Sequence, residues 1–165
     1  MRVKLEPQFV NRRQLRIAGL SAHYAEQDSE ALAKQWERFA PSIGKVPGQV
    51  GTDAYGVVTG SFGGEHGFEY ITGVEVSAFQ SVPASFRRLT IPAQRYAIFV
   101  HEGHVSGIRE TMYTIKKEWL PKWMVPGRLD SKEGGDQPDF FERYGRFFDP
   151  KTGTGKIELW VPLKR

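Results

Sequence analysis

The sequence predicts an α+β fold, an antiparallel sheet with its helices packed on one face. Three observations carry this. Apolar residues alternate with period two in several separate segments, as in strands with one buried side. Two segments instead repeat their apolar residues at steps of three and four, as in helices that bury one stripe. These segments follow the order strand–helix–strand–strand twice, which points to an internal duplication in element order, without a residue-for-residue repeat.

The chain has 165 residues, enough for one domain, 1–165, with pseudo-repeat halves of about 1–80 and 84–165. At 39% hydrophobic and 25% charged, it has globular composition. Aromatic content is high at 13%, which suits an aromatic core or an aromatic-lined cavity alike. The net charge of +4 is spread over short groups such as Arg12-Arg13, Arg87-Arg88 and Lys116-Lys117. None of these is a basic arm of the kind that binds nucleic acid. Without cysteine there are no disulfides or thiolate metal sites. The N-terminus lacks the apolar core of a signal peptide, and no apolar run has membrane-spanning length, so the expected location is the cytoplasm.

In chain order, Gln8–Val10 and Leu15–Ala18 are extended, and Gly19 is expected to loosen the chain after them. Asp28 or Ser29 is a candidate helix N-cap, and Glu30 in the first turn complements the helix dipole. Leu32, Trp36 and Phe39 share one helical face, and Pro41 ends the helix. Strands are expected at Ala54–Thr59 and Phe68–Val76, joined through the glycine-rich stretch 60–67. The second half begins at Arg88–Pro92 and continues into a strong strand, Tyr96–His101. Val105, Ile108, Met112, Ile115 and Trp119 then mark the clearest helix, with Pro121 past its end. A polar stretch, 126–137, leads to a strand around Glu142, a turn at Asp149–Gly155 and a final alternating strand, Ile157–Pro162. Two such halves leave a groove between them, where small ligands lodge.

Several motifs point to chemistry only superficially. In His101-Glu102-Gly103-His104 the histidines are three apart around a glycine, whereas a helical zinc pair needs a spacing of four, so the segment reads as a loop. Gly153-Thr154-Gly155-Lys156 lacks the first glycine and the hydroxyl residue of a phosphate-binding loop and opens a strand, so it reads as a hairpin turn. No cofactor is implied.

The residue that stands out is Glu142. Alternation along Pro138–Phe148 puts Phe140, Glu142 and Tyr144 on one side of a strand. No basic residue shares that side, and a buried carboxylate without a partner is costly. Either that side faces water, as an aromatic-flanked edge strand, or Glu142 faces a pocket whose cationic or polarised partner is a ligand. Trp36 and Trp119 occupy comparable places on the two helices, and Tyr24, Tyr70, Tyr96, Tyr113 and Trp160 are further aromatic candidates. Each is explained by core packing alone, while several facing one groove would hold a cation over ring faces.

One resemblance spans nearly the whole chain. Trp36…Phe39, Tyr55-Gly56-Val57, Phe68–Val76, Ile91-Pro92-Ala93…Tyr96–Phe99…His101…Gly103, Glu118–Pro121, Phe141–Tyr144 and Glu158–Pro162 together resemble the GyrI-like (gyrase-inhibitor-like) domain. This is the effector-binding domain of many AraC-type and MerR-type bacterial regulators. The resemblance implies duplicated SHS2-type units with a ligand groove between them and bulky, lipophilic, often cationic ligands. It also implies that Glu142 is the acid at the floor of an aromatic pocket. Trp36, Tyr70, Tyr113, Trp119 and Trp160 would then supply its walls. Some relatives hydrolyse cyclopropane-bearing electrophiles, which makes a hydrolase with Glu142 as acid or base the alternative. The family's namesake suggests a third reading, a protein-interaction role with a topoisomerase. No helix-turn-helix segment is found, so a stand-alone module is expected, with no specific DNA binding and no membrane partner. A homodimer or a separate regulator partner stays open.

Overall fold

The computed structural model describes residues 6–25, 29–59, 67–118 and 138–163. The elements are β1 (Gln8–Arg12), β2 (Leu15–Tyr24), α1 (Ser29–Phe39), β3 (Ala54–Thr59) and β4 (Phe68–Glu75), then β5 (Arg87–Ile91), β6 (Gln94–His104), α2 (Ile108–Glu118), β7 (Phe140–Asp149) and β8 (Thr154–Pro162). The eight strands form one antiparallel sheet in the order β1-β6-β8-β7-β3-β4-β2-β5. β3 and β7 meet at its centre, and each edge strand pairs across the halves, β1 with β6 and β5 with β2.

Local chemistry accounts for most element boundaries. Pro41 falls in a 3-10 turn, Ala40–Ser42, directly after α1. α2 is preceded by a second such turn, Val105–Gly107, where the His104 ring accepts a hydrogen bond from the Ser106 amide. The His101–His104 segment, expected as a loop, belongs to β6. Gly19 does not loosen the chain either. It lies within β2 opposite Gly73, and a Cβ there would overlap the Thr72 carbonyl oxygen. The glycine permits a close backbone approach inside a continuous strand. Asp28, Trp119 and Pro121 lie outside the described residues.

Alternation sorts the apolar side chains onto two faces. Both helices pack on one, where Ile108, Met112 and Ile115 of α2 and Leu32 and Trp36 of α1 meet Val58, Tyr70, Phe99, Phe140 and Leu159. The other face gathers Tyr55, Ile71, Tyr96, Phe141 and Trp160 with Leu15, Ile17, Leu89 and Ile91. Phe141 and Trp160 stack there, with ring centroids 5.3 Å apart. Each such side chain contributes about 1.5–3 kcal/mol through burial, so both faces of the central strands are committed to cores.

Gln35 anchors α1. It is fully buried, and its Nε2 donates to the carbonyls of Leu20 (3.1 Å) and Tyr70 (2.9 Å), while its Oε1 accepts the Tyr24 hydroxyl at 2.6 Å. A buried amide with its bonds made to strand backbone fixes the helix over the sheet. The next residue, Trp36, is thereby held over β4 and β7.

Candidate functional site

β7 presents Phe140, Glu142 and Tyr144 to the helix side of the sheet, and Phe141 to the other. Glu142 is buried, only 7% exposed, so the water-facing alternative does not hold. It receives the Tyr70 hydroxyl at 2.6 Å and the Tyr144 hydroxyl at 2.8 Å. The Tyr70 hydroxyl in turn accepts the Trp36 Nε1–H at 3.0 Å. The partner of the carboxylate was not legible in sequence because one donor lies two strands away, on β4 beyond β3. The other, Tyr144, is two residues on in the same strand and was placed on the correct side by alternation alone.

Both hydroxyls donate to the same oxygen, Oε1. Oε2 has no hydrogen-bond partner among the described residues. Burial raises the Glu142 carboxyl pKa above its usual range, and the two tyrosine bonds offset only part of that effect. Burial, followed by the charge of Glu142, holds the Tyr70 and Tyr144 hydroxyls well above the ordinary phenol value. Both phenols therefore stay neutral donors to the carboxylate.

Gly56 makes the arrangement possible. It stands opposite Glu142 across the β3/β7 pair. A Cβ at this position would overlap the Tyr70 hydroxyl and approach Glu142 Oε1 to 2.5 Å. The sequence offered no sign of this requirement, because it depends on which strand lies beside β7.

Glu142 lines a cavity of about 230 Å³ between α1 and α2. Val58, Phe68, Tyr70 and Phe140 contribute from β3, β4 and β7, Leu32 from α1, and Ile108, Arg109, Met112 and Tyr113 from α2. Tyr113 is 65% exposed. Of the predicted residues, Glu142, Tyr70 and Tyr113 come together at this cavity. Trp36 stands behind it, edge-on to Tyr144 at 5.1 Å and to Tyr70 at 6.4 Å. Trp119 lies outside the described residues.

Trp160 lies apart from this cavity. It pairs with Phe141, while Glu142 pairs with Leu159, so Trp160 occupies the opposite face from Glu142. There it stacks on Phe141 beneath the guanidinium groups of Arg12 (5.4 Å) and Arg143 (6.0 Å). Tyr96 shares that face. A one-residue difference in register decides the side, and register is set by pairing. His101 uses its ring nitrogens on Thr111 Oγ1 (2.7 Å) and the His104 carbonyl (2.8 Å), tying the end of β6 to α2. Among the described residues, no three metal-ligating side chains gather, and no helix is long and apolar enough to cross a membrane.

Comparison with known proteins bears on this arrangement. The family model described as the GyrI-like small molecule binding domain matches residues 5–164. The transcriptional regulator BrlR of Pseudomonas aeruginosa is 28% identical over 161 residues, covering 96% of this chain and 56% of BrlR. The chain thus spans little more than half the length of that relative. Among solved structures, SAV2435 bound to tetraphenylphosphonium superposes with a TM-score of 0.72 at 18% identity, covering 96% of this chain and 94% of that one. The EcmrR C-terminal domain superposes with a TM-score of 0.67 at 12% identity, covering 99% of each chain. At these identities the two structures establish the fold.

Proposed function

Since this chain belongs to the GyrI-like family of small-molecule-binding domains, we propose that it binds lipophilic cations, with Glu142 as the counter-charge. The observation that carries this reading is the half-satisfied carboxylate. Glu142 is buried among aromatic and aliphatic side chains at a cavity, with two hydroxyls on Oε1 and none from the described residues on Oε2. A buried charge in that condition is stabilised when a cation arrives. Tyr70, Phe68 and Phe140 line the same cavity, and aromatic faces add roughly 0.5–2 kcal/mol for each well-placed ring. The tetraphenylphosphonium bound to the structurally similar SAV2435 is a ligand of this chemical class. The cavity of about 230 Å³ falls below the usual 300–1,000 Å³ of ligand sites, so a bulky cation would sit in it only in part.

Titration with methyltriphenylphosphonium and with neutral triphenylphosphine oxide, a pair of closely similar size, tests the reading. The cation is expected to bind more tightly, and equal affinities would sink the proposal.

The raised pKa of Glu142 also favours a second reading, general acid–base hydrolysis of cyclopropane-bearing electrophiles in the same cavity. Turnover of such a compound by the wild type, lowered roughly 10²–10⁴-fold in Glu142→Gln, would support it.

The module is expected not to recognise specific DNA by itself, since its basic residues fall in short, scattered groups. A salt-resistant, sequence-selective gel shift would contradict this. The two halves are further read as duplicated SHS2-type units. The matching orders β2-β4-β3 and β6-β8-β7, related across the β3/β7 pair, support that reading.

A further inference from the structure

The cavity that holds Glu142 also carries a charge of the opposite sign. Arg109, in the first turn of α2, lines it alongside Ile108, Met112 and Tyr113. Arg109 is exposed, and its guanidinium has no ion pair among the described residues. A free guanidinium at the mouth of a site for a simple monocation would work against the ligand. Three of the other arginines show the alternative: Arg12 is paired with Glu75, Arg87 with Glu69, and Arg143 with Asp53.

From the two charges we propose that this site selects ligands bearing both signs: a lipophilic cationic centre held at Glu142, and an anionic arm held by Arg109. Arg109 is then a specificity-determining residue. This rests on the cation-binding reading of the Glu142 cavity and names the ligand class within it. The geometry fits in three respects. Glu142 is buried on the central strand β7 and Arg109 is exposed on α2, so a ligand entering between the helices meets them at different depths. The rest of the lining, with Met112, Tyr113, Phe140 and Ile108, is apolar or aromatic and suits the body of such a molecule. Arginine also presents a planar, permanently charged fork that pairs with carboxylate or phosphate oxygens in two-point fashion.

The test uses (3-carboxypropyl)triphenylphosphonium and its 3-carbamoylpropyl counterpart, which share the cationic head and differ in the charge of the arm. Calorimetry on the wild type should show the carboxylate compound binding about fivefold more tightly, the advantage expected of one largely exposed ion pair. In Arg109→Gln the advantage should vanish, while the amide compound binds as well as before or better. Equal binding of the two compounds to the wild type, or an advantage that survives Arg109→Gln, overturns the proposal. Glu142→Gln separates the two levels of inference. If it leaves the affinity of the amide compound unchanged, or if neither compound binds the wild type, the cation-binding reading fails and this one falls with it. If the amide compound loses affinity in Glu142→Gln but Arg109 has no effect on the pair, only the two-charge selection is wrong.

Discussion

Gly56 on β3 stands directly opposite Glu142 on β7, and the missing side chain of Gly56 leaves the space in which the Tyr70 hydroxyl reaches the carboxylate. The acid and its donor belong to strands that are not neighbours, and they meet over the glycine between them.

Gly56→Ala is therefore expected to break the Tyr70–Glu142 bond, since one of the two must move. Overpacking of this kind costs about 1–3 kcal/mol. The change should appear as a lower urea midpoint at unchanged slope, together with weaker cation binding. A variant of wild-type stability and affinity would show that the space over Gly56 is not needed.

Glu142→Gln removes the charge and keeps an oxygen that both hydroxyls can reach. The folded state holds the carboxyl pKa above its unfolded value, so it favours the protonated form. Stability then falls as pH rises from the ordinary carboxylate range through the raised folded value. The variant lacks that slope and should be more stable than wild type at neutral pH, with the difference closing in acid. Its affinity for methyltriphenylphosphonium should drop by about 2–5 kcal/mol if the pair is desolvated. Denaturation curves at several pH values and calorimetry read both effects, and a pH-independent difference in stability would contradict the assignment.

Cation binding itself should depend on pH. The ligand pairs with the ionised carboxylate, so below the raised folded pKa each binding event must expel a proton. Affinity should fall about tenfold per pH unit there and level off above it. The neighbouring Tyr70 and Tyr144 hydroxyls, held well above the ordinary phenol value, keep their charge states across that range. Proton release measured in buffers of different ionisation enthalpy provides the check. A flat profile through weakly acid pH would show that Glu142 is not the counter-ion.

The two tyrosines should be unequal. Tyr144→Phe removes one donor to Oε1, whereas Tyr70→Phe removes a donor and also leaves the Trp36 Nε1–H without its acceptor. Hydrogen bonds to charged groups are worth about 1.5–3 kcal/mol each, so Tyr70→Phe should be the more destabilising and should also alter Trp36 fluorescence. A double-mutant cycle should show coupling, because both donate to one oxygen. Equal and additive effects would speak against a shared acceptor.

Trp160→Phe serves as the opposite-face control. It should lower stability through lost packing against Phe141 and Tyr96, yet leave cation affinity unchanged. Loss of affinity without loss of stability would place Trp160 at the ligand after all.

Much of this protein was determined by its sequence alone. Period-two and period-3.6 patterns located the strands and helices, because burial of one face is a local property of spacing. Alternation also put Phe140, Glu142 and Tyr144 on one side, and the cost of an isolated buried carboxylate marked Glu142 as the residue needing a partner. What the tertiary structure decided was everything that depends on which strand lies beside which. Pairing of β7 with β8 sent Trp160 to the far face, although its residue type suited a pocket wall. Pairing of β7 with β3 and β3 with β4 brought Gly56, Tyr70 and Glu142 into one line. Gly19, a flexible residue by type, became a point of close backbone contact inside β2. Strand order is a long-range choice made by the packing of all eight strands, and no spacing within a single segment encodes it.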